Sequence, residues 1–180
     1  LKASPYPGIW FQLFGGYQNL KNDLLYSYSS LSDTSIGTVS TMLAFTQIHT
    51  DNVYAGIKLT YDYKDVLSLS AHYIYRNWNS DNNEYLLAVK PENEASISLN
   101  VHPTSALQLN AGFDYISRKK EATSFNMSDI SDLHIGASYN VFKGVSVYAQ
   151  VHNLLNKKYQ YYLGYPAEGF NFLGGLSFRF

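Results

Sequence analysis

Apolar and polar residues alternate with a period of two along most of this chain, which is how a strand with one apolar face reads. At 145–152, Val145, Val147, Ala149 and Val151 oppose Ser146, Tyr148, Gln150 and His152. At 106–117, Leu107, Leu109, Ala111, Phe113 and Tyr115 oppose Gln108, Asn110, Gly112 and Asp114. At 94–102, Ala95, Ile97, Leu99 and Val101 oppose Ser96, Ser98, Asn100 and His102. The last stretch sets Phe170, Phe172, Gly174, Leu176, Phe178 and Phe180 against Asn171, Gly175, Ser177 and Arg179, with Leu173 the apolar exception. The pattern predicts strands at 8–17, 20–29, 37–48, 53–63, 66–78, 94–102, 106–117, 130–141, 145–152 and 169–180, alternation being weakest in 20–29 and 37–48. No window keeps an i, i+3, i+4 apolar stripe, so no helix is predicted.

The connections alternate in length. Lys64-Asp65, Pro103-Thr104-Ser105 and Phe142-Lys143-Gly144 are tight turns, whereas 79–93, 118–129 and 153–168 are long and polar. Short turns at one end and long loops at the other describe an outer-membrane barrel, with lipid on the apolar face and water on the polar one. One hairpin register can be predicted directly. Pairing Tyr63 with Leu67 also pairs Tyr61 with Leu69, Leu59 with Ala71 and Ile57 with Tyr73 on the apolar face. It pairs Lys58 with His72 and Thr60 with Ser70 on the other face, and a one-residue slip would invert every side chain. Tyr61, Tyr63, Tyr139, Phe178 and Phe180 fall near the short-turn end and Tyr73, Tyr75 and Tyr115 near the long-loop end, as two interfacial girdles would.

Composition narrows the function. Seventeen Tyr, 10 Phe and 2 Trp supply the girdles, while the longest apolar runs are too short for the roughly 20 residues of a membrane helix. A net charge of -1 with 13 Lys+Arg argues against nucleic acid as partner. With no cysteine there is no disulfide, thiolate metal site or cysteine nucleophile. No cofactor is indicated. No signal peptide stands at Leu1, so a processed form or a piece of a longer protein is expected.

The last thirty residues carry a more specific signal. Asn153-Leu154-Leu155-Asn156-Lys157-Lys158-Tyr159, then Gly164-Tyr165-Pro166, Gly169-Phe170 and the closing Phe-rich strand resemble the C-terminus of TonB-dependent outer-membrane receptors, with Leu155 where that family usually has Phe. The resemblance reaches more weakly back to about residue 53, through Gly56-Ile57-Lys58-Leu59-Thr60-Tyr61 and Lys90-Pro91. It implies a barrel of about 22 strands filled by a plug, taking up scarce ligands with energy delivered by TonB. A strand crossing takes about 9–11 residues, so 180 residues hold about ten strands. The expectation is therefore an all-β, antiparallel transmembrane barrel segment spanning 1–180. It has no plug of its own, sits in the bacterial outer membrane, and forms the wall and outer loops of a transport receptor. Plug and TonB would be partners only through other parts of the chain. The alternative is a small autonomous barrel, structural or adhesive. A soluble lipocalin-type barrel is disfavoured by the two girdles.

Candidate site residues follow from the polar face. Lys58, Arg76, Asp114 and Arg179 face the lumen, where they can hold an anion or balance one another in water. His134 and His152 fall opposite each other on adjacent strands and form a weak metal pair lacking a fixed third ligand, with Asp132 on the same face. Asp132 and His134 alone do not make a hydrolase. Arg118-Lys119-Lys120-Glu121 reads as an exposed charged loop able to meet lipopolysaccharide phosphates. Tyr159, Tyr161, Tyr162 and Tyr165 either stack on a ligand or pack their own loop. Phe170, Phe172, Leu176, Phe178 and Phe180 resemble the terminal signal read by the barrel-insertion machinery, whose physical basis would be strand addition to an open sheet edge.

Overall fold

The computed structural model describes residues 1–33, 38–80, 84–118 and 127–179, with backbone only at 26–33, 38–44 and 84–86. Nine antiparallel strands form one sheet in chain order: β1 (Lys2–Tyr6), β2 (Ile9–Asp33), β3 (Thr38–Tyr63), β4 (Leu67–Ser80), β5 (Pro91–Val101), β6 (Leu107–Arg118), β7 (Ile130–Phe142), β8 (Val145–His152) and β11 (Asn171–Phe178). Between β8 and β11 a small hairpin, β9 (Gln160–Tyr162) and β10 (Tyr165–Pro166), stands apart from the sheet. A single 3-10 turn, Glu84–Val89, is the only helical element among the described residues. Among the described residues no helix is long and apolar enough to cross a membrane. Among the described residues β1 and β11 do not pair, so the sheet is an open barrel wall.

The predicted hairpin register holds: Tyr63 pairs with Leu67, Ile57 with Tyr73, Lys58 with His72 and Tyr54 with Arg76. Four expected strands are in fact two. The segments 8–17 and 20–29 fuse into β2, and 37–48 with 53–63 into β3, giving strands of 25 and 26 residues. β1 is a short strand the alternation did not show, joined to β2 through Gly8 at φ 82°. The fused hairpin contains the reason for its poor alternation. Leu20 pairs with Thr50 but Asp23 pairs with Ile48, so Lys21 and Asn22 together face only His49. This bulge inverts the parity of β2. Before it the even residues Gln12, Phe14 and Gln18 share a face with Lys58, Gly56 and Asn52; after it the odd residues Asp23 and Leu25 take that face.

Burial is the reverse of a soluble domain. Apolar side chains of the outer face, among them Ile57, Tyr73, Ile97, Ile135, Phe172 and Leu176, are exposed, as lipid contact requires. The buried apolar residues gather at the long-loop end: Leu25, Ile48, Trp78 and Leu87 form one cluster with Val89 against it, and Met127, Ile130, Tyr159 and Leu163 lie nearby in the loops and strand ends. The outer face changes character at one level. Tyr17 gives way to Asn19, Val53 to Asp51, Tyr75 to Asn77, Ala95 to Asn93, Tyr115 to Ser117 and Leu133 to Ser131. The change keeps its level from β2 to β3 and from β5 to β6 and shifts by two residues, always in the same direction, at the β3–β4, β4–β5 and β6–β7 pairs, as strands tilted by about 40° demand.

Candidate ligand vestibule at the long-loop end

The inner face at the long-loop end is organised by one cation. Arg118, at the top of β6, is 5% exposed. Its Nε donates to Val89 O at 3.3 Å, Nη1 to Ser128 O at 3.0 Å, and Nη2 to Gln160 O at 3.1 Å and Tyr161 O at 3.2 Å. These carbonyls belong to the three long connections, so one guanidinium ties them together; its five-donor fork is the side chain suited to this. Burial lowers the Arg118 pKa, and the charge of Asp129 opposes that shift. The expectation that Arg118 belongs to an exposed charged loop is therefore corrected: its charge is turned inward onto backbone oxygens. Lys119, Lys120 and Glu121 lie outside the described residues.

A second latch explains the Asn-Leu-Leu-Asn-Lys-Lys-Tyr motif. Asn153 is 1% exposed and left-handed at φ 47°. Its Nδ2 donates to Lys157 O and Glu168 O, and its Oδ1 accepts from Lys157 N–H, closing both ends of the loop on one amide. Asn156, also left-handed at φ 48°, accepts from Phe170 N–H. Asp132 receives the Asn153 N–H at 2.9 Å and the Tyr159 hydroxyl at 3.1 Å. Tyr159 is 4% exposed and edge-on to Tyr161. Its pKa is raised, first by burial and then by Tyr161 and Asp132. Tyr159 thus packs its own loop, while Tyr161, Tyr162 and Tyr165 remain exposed. Both latches were missed in the sequence because their partners are mostly main-chain groups.

Between the latched loops and the strand tops lies a cavity of about 310 Å³. Leu25, Val89, Pro91, Met127 and Leu163 give it apolar walls, Tyr161 and Tyr162 line its β9 side, and Lys90, Glu94 and Arg118 supply charge. The charges are locally satisfied. Lys90 Nζ lies 2.6 Å from Asp23 Oδ2 and 4.7 Å above the Trp78 ring, and Thr50 donates to the same carboxylate oxygen. Glu94 pairs with Arg76 at 2.7 Å.

The expected lumen residues are spread along this face rather than gathered. Arg76 serves the cavity rim through Glu94. Lys58 sits lower, in the row of Gln12 and His72, and Arg179 lies at the short-turn end, its N–H on Gly144 O. Asp114 lies 3.8 Å from His134 Nδ1, and His134 stacks on His152 at 5.8 Å. Among the described residues no three His, Asp or Glu side chains form a metal-binding group. On β11, Phe172, Leu176 and Phe178 are exposed on the outer face, Phe170 precedes the strand, and Phe180 lies outside the described residues.

No protein-family model matches the sequence, and no curated protein matches it by sequence. Solved structures do share its fold. The chain superposes over 99% of its length on 31% of the copper transporter OprC, with TM-score 0.70 and 15% identity. It covers 99% of itself and 26% of the ferric-catecholate import receptor Fiu of E. coli K12, with TM-score 0.67 and 14% identity. Against OmpT of Vibrio cholerae it spans 98% of itself and 53% of that chain, with TM-score 0.58 and 16% identity. The chain has an outer-membrane barrel fold and spans a third or less of the two transport proteins it resembles.

Proposed function

We propose that residues 1–180 are the wall and outer loops of an outer-membrane transport receptor of the TonB-dependent kind, non-enzymatic, with plug and TonB contact supplied by other parts of a longer protein. The observation carrying this reading is the latched vestibule: Val89, Ser128, Gln160 and Tyr161, from three long connections, are tied to Arg118 beside an apolar, aromatic-sided cavity at the mouth. An adhesive barrel would turn such loops outward. The cavity walls suit an organic solute with apolar surface, or an organic chelate such as the ferric catecholate that Fiu imports, better than a bare ion. The terminal strand, with Phe170, Phe172, Leu176, Phe178 and Phe180, is proposed as the segment read during membrane insertion.

The test is the mass of the denatured protein extracted from its native membrane, together with in-cell crosslinking to TonB. A band several-fold above 20.4 kDa that crosslinks to TonB is expected. A band near 20.4 kDa without a crosslink would overturn the reading in favour of a small autonomous barrel.

A further inference from the structure

The outer face of β2 and β3 carries a polar cluster that neither folding of the wall nor the vestibule requires. Tyr17 donates to Asp51 Oδ1 at 2.6 Å, and Asn19 Nδ2 reaches the same oxygen at 2.7 Å. Asn19 Nδ2 is also 2.8 Å from His49 Nε2, and His49 lies 3.7 Å from Asp51. Register puts all four on the face of Leu13, Ile57 and Leu59, opposite to the lumen. Asn77 and Asn79 of β4 continue the patch, Asn79 directly beside Asp51.

Its height can be worked out. From Tyr63 to Val53 the outer face of β3 is apolar over ten residues. At about 3.4 Å per residue and about 40° of tilt this spans about 26 Å, against an apolar band of about 25 Å. Asp51 and His49 then stand about 5 and 10 Å beyond the hydrocarbon edge by the same rise and tilt. That is the headgroup layer of the outer leaflet, and long-loop geometry makes this the outer side. A lipid-facing surface there meets sugar and phosphate.

We propose that this cluster binds the saccharide headgroup of an outer-leaflet glycolipid. The chemistry suits a sugar. The Asp51 carboxylate accepts strong, charge-assisted bonds from hydroxyls, and Lys21, exposed at the bulge opposite His49, is the neighbouring cation. Asn77 and Asn79 each carry a donor and an acceptor on one group, and Asn19, its Nδ2 engaged by Asp51 and His49, adds its acceptor oxygen, matching neighbouring hydroxyls. Tyr17, 62% exposed, presents an amphipathic ring to the carbon face of a sugar. The Tyr17 and Asn19 bonds hold the carboxylate in place before any ligand arrives. The inference concerns the lipid-facing surface and stands apart from the transport reading.

The full protein, extracted in detergent and titrated with rough-type lipopolysaccharide or with phosphatidylglycerol, is read by native mass spectrometry. Wild type is expected to retain the glycolipid in preference to the phospholipid. Asp51→Ala should weaken retention about tenfold and Tyr17→Phe about threefold, with Gln108→Ala on the opposite face as an unchanged control. Each variant is first shown to keep its folded, heat-modifiable band, which exposed positions should preserve. Equal retention by wild type and Asp51→Ala would overturn the proposal. So would equal, equally Asp51-dependent retention of phosphatidylglycerol, which would mark a generic anion or headgroup contact.

Discussion

Arg118→Met removes the fork that joins three loops while filling most of its volume. Hydrogen bonds to a charged partner contribute about 1.5–3 kcal/mol each, and Arg118 donates four of them. The carbonyls left behind are neutral and lie at a mouth where water reaches them once the loops part, so the expectation for loop opening is about 3 kcal/mol, the equivalent of one or two such bonds. At about 1.4 kcal/mol per factor of ten, the open population rises about 100-fold. Arg118→Lys keeps the charge but not the planar fork and should lose about tenfold. Hydrogen exchange on the protein in lipid vesicles reads this directly. Protection should fall together in segments 87–91, 128–131 and 159–163, while β4 to β6 keep theirs. If only one loop loosens, Arg118 is not the common tie. If the strands lose protection equally, the residue stabilises the sheet and the latch reasoning fails.

Three further outcomes follow from the same geometry. Asn153→Ala loses both of its donor bonds and its acceptor while keeping a left-handed backbone, so it should cost about 2 kcal/mol in loop stability; faster protease cleavage within 154–169 measures it. Tyr159 holds its proton above the usual tyrosine range, so the folded loop binds a proton that the unlatched loop releases. Its stabilisation is complete below the ordinary tyrosine pKa of about 10 and drains away as pH rises beyond it. Tyr159→Phe should flatten that alkaline loss, measured as loop protection between neutral and alkaline pH. Gly144→Ala places a methyl against the Arg179 carbonyl at φ 82°, so the β7–β8 turn and the end of β11 should loosen together, a loss of about 1–3 kcal/mol read as a lower melting temperature.

Where strand, face and register depend on side-chain alternation, they were readable residue by residue. β4 to β8 lie within a few residues of expectation, and the Tyr63–Leu67 hairpin pairs as predicted, because each side of the wall meets a different solvent. The readable signal ends at the bulge. Two residues facing one His49 break the period, so a continuous strand looked like two. The vestibule was hidden for another reason. Arg118 finds its partners among main-chain carbonyls of distant loops, and no side-chain pattern announces an oxygen that every residue carries. The Asn153 motif was visible as a likeness, but its work, one amide closing a sixteen-residue excursion between Asn153 and Glu168, needed the folded loop.

The bulge at Lys21 and Asn22 also sets what length changes this hairpin can absorb. Above it, a residue added to or taken from the hairpin's far end alters only how far the ribbon reaches. At the bulge, removing Lys21 or Asn22 would leave one residue opposite His49, so Asp23 would still pair with Ile48 and every later position of β2 would keep its side. Leu25 would stay in the cluster of Ile48, Trp78 and Leu87, and the vestibule would keep that wall. The single extra residue therefore acts as slack in the strand: it changes which residue numbers face the vestibule and leaves the faces themselves as they were.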